Sequence, residues 1–277
     1  MSTLPYVYIP PDGPMTPLVV SVPHAGTTVP SIDRPLMVAS EVDLLRDADL
    51  LVDRLYSHAP QLGAGLIAAT LSRYVVDLNR APDDVDEHVC PDLEKHAPEN
   101  PRALIWRLTT DGRPVLARPL EPAELSDRLA RVHTPYHRRL GALLEERRQR
   151  FGYALLLDGH SMPSVGRATH TDPGHRRADV VPGNNRGKSC GQALTDLVMG
   201  HFKGRGYGVA LNDPYAGGWI TRNYGRPAEG VHAIQIELNR ALYLHEDIPC
   251  LAGERTPPLI ESLDALVETL SRFDPRS

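Results

Sequence analysis

Leu18-Val-Val-Ser-Val-Pro-His-Ala-Gly26 is the stretch on which the reading of this chain turns. Its first five residues, mostly β-branched and apolar, predict a buried strand, and Pro23-His24-Ala25-Gly26 predicts a polar loop at that strand's carboxyl end. The same pattern returns at Tyr153-Ala-Leu-Leu-Leu157, which runs into Asp158-Gly-His-Ser161, and over residues 231–238, which close on Glu237-Leu238-Asn239. Further strands are expected at 66–70, at 74–78 just before Asn79-Arg80, and at 208–211.

Helical spacing fills the intervals. Residues 41–59 carry Leu44, Leu45, Leu51, Val52 and Leu55 with Asp43, Asp47, Asp49 and Asp53 between them. Residues 121–150 show a stripe of Leu125, Leu129, Val132, Tyr136, Leu140 and Leu144, which Pro135 is expected to kink or split. A helix is expected over 189–203, and a last one opens at Thr256, read as its cap, with Pro257 in the first turn and Ile260, Leu263, Val267 and Leu270 inward. Strands alternating with helices predict an α/β domain on a mainly parallel sheet. Ligands gather beyond the carboxyl ends of such strands, where His24, Arg80, His160 and Glu237 all fall. No repeat or linker interrupts the chain, so residues 1–277 are expected to form one domain. Irregular excursions at 83–119 and 163–187, of a length that often covers active sites, and a glycine-rich loop at 216–229 belong to it.

Composition narrows the classes. A net charge of −5 argues against a general nucleic-acid binder, which needs a basic face. Cys90, Cys190 and Cys250 are far apart, which gives neither a disulfide framework nor a thiolate zinc site. The first residues lack a signal-peptide pattern, and no apolar run approaches the ~18 residues of a membrane span. A soluble cytoplasmic protein with a small acidic molecule as partner, and neither membrane nor nucleic acid, is the expectation.

Two histidines at neighbouring strand ends can converge on one metal ion. A third ligand would come from Asp47, Asp49 or Asp53, of which only one or two can point inward. A lone histidine or an acidic helix face is more often structural; convergence at one sheet edge favours the metal. Glu237, a carboxylate ending an apolar strand, suits a general base. Arg80 suits an anionic substrate, an ion pair with Asp77 or Asp83 being the plainer alternative. Arg222, Tyr224 and Arg226 offer further substrate contacts from their loop. Gly183-Asn-Asn-Arg-Gly-Lys-Ser189 lacks the spacing of a nucleotide phosphate loop.

Taken in order, six segments resemble the N-formylglutamate amidohydrolase (deformylase) family. They are Ser21-Val-Pro-His-Ala-Gly26, Asp47-Ala-Asp-Leu-Leu-Val-Asp-Arg-Leu-Tyr56, Arg73-Tyr-Val-Val-Asp-Leu-Asn-Arg-Ala-Pro82, Leu157-Asp-Gly-His-Ser161, Gly217-Gly-Trp-Ile-Thr-Arg-Asn-Tyr-Gly-Arg-Pro227 and Ile234-Gln-Ile-Glu237. The resemblance implies a three-layer α/β/α sandwich on a mixed, mainly parallel sheet, similar to zinc carboxypeptidases. It implies one divalent metal, zinc by default, held by His24, Asp49 and His160, with Glu237 as base and Arg73 polarising the scissile carbonyl. Asn79 and Arg80 would hold the substrate carboxylate. The implied activity is removal of a formyl or other small acyl group from an N-acylated acidic amino acid. Leu50 stands where an aromatic follows the paired aspartates in the histidine-degrading members, and both excursions diverge. Two alternatives remain: deacylation of a different small N-acyl or ring-opened amide, and a metal-stabilised binding protein without turnover.

Overall fold

The computed structural model describes residues 4–246 and 250–276. Strands β1 (Tyr6–Ile9), β2 (Leu18–Val22), β3 (Gly65–Ala69), β4 (Ala154–Met162), β5 (Val180–Gly183) and β6 (Val231–Asn239) form one sheet in the order β1-β3-β2-β4-β6-β5. The inner four strands run parallel and both edge strands antiparallel, so the sheet is mixed and mainly parallel. The helices are α1 (Glu41–Asp47), α2 (Val52–Leu55), α3 (Pro122–Arg128), α4 (Thr134–Phe151), α5 (Gln192–Lys203), α6 (Trp219–Tyr224) and α7 (Thr256–Arg272). Among the described residues, no helix is long and apolar enough to cross a membrane.

Side chains alternate along a strand, and this period of two sorts the layers. Leu18, Val20, Leu155, Leu157, Ile234 and Ile236 share one apolar face with residues of α2, α5 and α7. Val19, Ile67, Ala154, Leu156 and Ala233 face the other way, against Tyr136, Leu140, Leu143 and Leu144 of α4. Three layers result. On the α4 face the apolar character stops halfway: counting on by twos reaches Ser21, Asp158, His160, Gln235 and Glu237, all buried.

Several local expectations need correction. The helix expected over 41–59 is two short helices, with Leu51 between them in the left-handed region at φ 63°. That conformation costs a non-glycine residue roughly 1–2 kcal/mol. It is held by Asp49, whose backbone N–H donates to His24 O at 3.0 Å, and by Leu51 O, which accepts from Leu55 N at 3.1 Å. The apolar run at 74–78 is no strand. It is buried like one, but its backbone-to-backbone hydrogen bonds are local turns plus one from Asp77 N to Leu104 O at 2.8 Å. Residues 208–211 contribute only a single bridge, Val209 with Val180, and α6 occupies the loop expected at 216–229. Strand β1, four residues between Pro5 and Pro10, carries too short a pattern to be foreseen. Thr256 lies inside α7 rather than capping it, and its Oγ1 donates to Ala252 O at 3.1 Å.

The helical stripe expected over 121–150 is divided just before Pro135. A π-helical stretch at Leu129–His133 joins α3 to α4, with Thr134 N–H donating to Leu129 O five residues back. The extra residue takes up the register change just before a proline that has no N–H to donate.

Candidate active site

β2, β4 and β6 are consecutive and parallel, so the carboxyl ends of β2 and β6 each lie about 5 Å from that of β4 between them. His160 of β4 is the register partner of Glu237 of β6, and His24 sits just past the end of β2. Asp49 enters from the break between α1 and α2. His24 Nδ1 and His160 Nδ1 are 3.1 Å apart, and Asp49 Oδ2 lies 3.0 Å from His160 Nδ1 and 3.5 Å from His24 Nδ1. All three side chains are buried.

The outer nitrogens explain what this cluster can hold. His24 Nε2 donates to Asp77 Oδ1 at 2.7 Å, and His160 Nε2 donates to Asp158 Oδ2 at 3.0 Å. A carboxylate on the far nitrogen fixes the tautomer and leaves the near nitrogen as an acceptor. Two Nδ1 lone pairs and one carboxylate oxygen then face one another with no donor between them. Such an arrangement is repulsive unless a cation or a proton sits inside, and an N/N/O donor set suits a divalent ion. His24, Asp49 and His160 are also the group of potential ligands found within mutual reach among the described residues.

Supporting charges are built around these ligands. Asp77 accepts from His24, from Asn79 N, from Trp106 Nε1 and from Arg73, whose Nη2 is 2.7 Å from Oδ2. Burial alone would raise its pKa, but Arg73, His24 and Arg80 hold it well below the usual carboxylate range. Asp158 accepts from Ser21 Oγ at 2.9 Å, and Ser21 is 3.0 Å from the Tyr136 hydroxyl. Burial works against a charged His160 as well, yet Asp158 and Asp49 keep its imidazole pKa well above the ordinary value. Asp47, the other candidate ligand, is committed elsewhere: it accepts from Tyr74, Thr110 and Arg167. Asp53 is not among the residues lining the cavity.

Glu237 faces the same space. Its Oε1 accepts from Gln235 Nε2 at 2.9 Å, and Gln235 Oε1 accepts from Gly218 N at 2.8 Å. Burial pushes the Glu237 carboxyl up to about 7, with His160 opposing and Asp49 assisting. Gly218 has to be glycine, since a Cβ there would run into the Asn79 amide.

The cavity above the cluster measures about 450 Å³ and is unusually rich in arginine: Arg46, Arg73, Arg80, Arg102, Arg167, Arg222 and Arg240. Four of these are paired with carboxylates, namely Arg46 with Asp111, Arg73 with Asp77, Arg167 with Asp47 and Arg240 with Asp49. Arg80 donates only to the backbone carbonyls of Arg102 and Asn79, at 3.0 Å each. Arg102 donates only to Thr169, and Arg222 is exposed. Among the described residues, no carboxylate lies within ion-pair distance of these three. The cavity therefore carries a surplus of positive charge suited to an anionic guest.

The segment bearing Asn79 and Arg80 is clamped from outside. His137 Nε2 donates to Leu78 O at 2.9 Å, Trp219 N to Asn79 O at 3.3 Å, and His133 Nε2 to Arg80 O at 3.0 Å. Asn79 Oδ1 accepts from Ile220 N at 2.8 Å.

Of the residues expected to take part, His24, Asp49, His160, Glu237, Arg73, Asn79, Arg80 and Arg222 all line this cavity. Tyr224 and Arg226 do not. Tyr224 is buried behind α4, donating to His137 O at 3.0 Å, and Arg226 pairs with Glu229 at 3.2 Å on the surface. Helix α6 turns Tyr224 away from Arg222, and Arg226 lies beyond the helix, past the extended Gly225. Sequence reasoning missed Asp158, Gln235, Arg102, Arg240 and the role of Asp77. Two of these left a signal: Gln235 is two residues before Glu237 and so shares its face, and Asp77 follows Arg73 by four.

Comparison with known proteins adds an independent line. The family model for N-formylglutamate amidohydrolase matches residues 16–244. The chain is 40% identical over 237 residues to N-formylglutamate deformylase of Pseudomonas aeruginosa, covering 84% of each chain. It is 36% identical to N-formylglutamate deformylase of Pseudomonas putida, again over 84% of each. In structure it is similar to N-formylglutamate amidohydrolase from Ralstonia eutropha JMP134, with a TM-score of 0.90, 33% identity and 99% of each chain covered. A gene product of Agrobacterium tumefaciens, 21% identical with a TM-score of 0.69, shares the fold over 97% of this chain and 95% of its own.

Proposed function

The chain belongs to the N-formylglutamate amidohydrolase family, and on that premise we propose that it hydrolyses the formyl amide of N-formylglutamate, releasing formate and the free amino acid. The observation that carries this reading is the pairing of an N/N/O cluster, locked by buried carboxylates, with Glu237 at its edge and unpaired arginines above. One divalent ion, zinc in the first instance, would be held by His24 Nδ1, Asp49 Oδ2 and His160 Nδ1. When bound, such an ion supplies Lewis acidity and makes water a stronger acid.

The chain's own groups account for the rest of the chemistry. Glu237, buried and with its carboxyl raised to about 7, takes a proton from water as the oxygen attacks the formyl carbon. Arg73, kept protonated by Asp77 and stacked 4.4 Å over Trp106, faces the developing oxyanion as a fixed hydrogen-bond donor. The C–N bond breaks as Glu237 returns the proton to the departing amine nitrogen. Arg80 and Arg222 hold the acid so that binding becomes orientation.

The test joins elemental analysis of purified protein to a panel of N-formyl, N-acetyl and N-succinyl amino acids. About one equivalent of metal and selective deformylation of the glutamate derivative are expected. The variant Glu237→Gln should keep its metal while kcat falls roughly 10²–10⁴-fold. Retained turnover in that variant would remove Glu237 from the mechanism.

A further inference from the structure

N-Formylglutamate has two carboxylates, one on the carbon bearing the scissile amide and one at the end of the side chain. Arg80 belongs to the first. It follows Asn79, whose amide nitrogen is 3.2 Å from the outer nitrogen of His160, and both residues line the cavity beside the cluster. The second carboxylate needs a cation farther out. Arg102 adjoins Arg80, its own carbonyl accepting from Arg80 Nε at 3.0 Å, and its guanidinium reaches outward to the exposed Thr169.

Its guanidinium is preorganised. Nη1 donates to Thr169 Oγ1 at 2.6 Å and Nη2 to Thr169 O at 2.8 Å, and Thr169 Oγ1 donates in turn to Thr110 O at 2.6 Å. Arg102 and Thr110 come from one excursion and Thr169 from the other, so the two together roof the cavity. Only two of the five N–H donors of Arg102 are used on Thr169. Burial lowers its pKa, and Arg80 and Arg73 add to this against the pull of Asp47 and Tyr215. An unpaired, partly desolvated cation is costly until an anion reaches it. Arg222, the third unpaired arginine, is exposed, so water screens its contact with the acid and leaves it little discrimination between substrates.

We infer that Arg102 reads the side-chain carboxylate and so selects N-acyl dicarboxylic amino acids over their neutral counterparts. The inference rests on the deformylase reading and adds a specificity residue that the sequence did not single out.

N-Formylglutamate and N-formylglutamine differ in the charge of one side-chain terminus, so the ratio of their kcat/KM values reads this contact. In Arg102→Met that ratio should fall roughly tenfold to a hundredfold from the wild-type value. An unchanged ratio, including an equal loss on both substrates, would overturn the assignment. Should Arg102→Met not fold, Arg102→Lys answers the same question, because one ammonium replaces a two-pronged donor. A severalfold lower ratio supports the inference there, and a wild-type ratio overturns it. A wild-type protein inactive on both substrates sinks the deformylase reading itself, a separate result.

Discussion

The two faces of the central sheet obey the same alternation and do opposite things. On the α5/α7 face, Leu18, Val20, Leu155, Leu157, Ile234 and Ile236 form an apolar layer across the strands. On the α4 face, Val19, Leu156 and Ala233 give way to Ser21, Asp158, His160, Gln235 and Glu237. Adjacent residues of one strand thus serve different ends: Leu157 fills the core while Asp158 orients a histidine. Stability and chemistry are separated by the thickness of a strand, and substitutions on the two faces should separate them in measurement.

The largest expected effect is on the apolar face. Leu155→Ala removes a fully buried side chain and should cost about 2–5 kcal/mol in urea unfolding, while kcat/KM of the folded protein stays within a fewfold of wild type. Glu237→Gln is its mirror: turnover collapses, and stability should change by no more than about 1 kcal/mol, because the amide keeps the volume and relieves a buried acid. Equal stability losses in the two variants would break the comparison.

A smaller effect probes the support behind the polar face. Asp77→Asn keeps the shape but loses the carboxylate that fixes the His24 tautomer. Metal affinity should fall about 10- to 100-fold, measured by competition with a chelator, with the unfolding transition still cooperative. Unaltered affinity would mean that Asp77 serves only Arg73 and Trp106.

The smallest effect concerns the clamp under Arg80. Burial, with the nearby His133, lowers the His137 pKa to about 3. Below pH 6.5 the unfolded chain takes up a proton at this residue that the folded chain refuses. Its contribution is therefore complete above pH 6.5 and is lost as pH falls toward 3, by about 1.4 kcal/mol per pH unit once well below 6.5. His137→Gln should flatten the dependence of stability on pH between 6 and 5 by up to one proton's worth. An unchanged slope would show that His137 is accessible to protons when folded.

His24, His160 and Glu237 were legible because each ends an apolar run, and a run of β-branched residues announces both the strand and its exit. The run at 74–78 shows the limit of that signal: burial alone imitates a strand, and only hydrogen-bond partners distinguish the two. Tyr224 and Arg226 misled for a similar reason, since six residues of helix inside a glycine-rich loop rotate Tyr224 away from Arg222 and the chain leaves the helix before Arg226. Asp47 and Asp49 could not be ranked from spacing. The left-handed turn at Leu51, tied to His24 O through Asp49 N, aims one at the histidines and leaves the other to Tyr74, Thr110 and Arg167.

By itself the sequence determined the α/β class, the parallel core of the sheet and the strand ends where chemistry gathers, because these follow from local periodicity. Tertiary structure alone decided which aspartate joins the histidines, which carboxylates orient them and which arginines stay unpaired. Those outcomes depend on contacts between residues tens to more than a hundred positions apart, and no short-range pattern encodes the direction in which a side chain finally points.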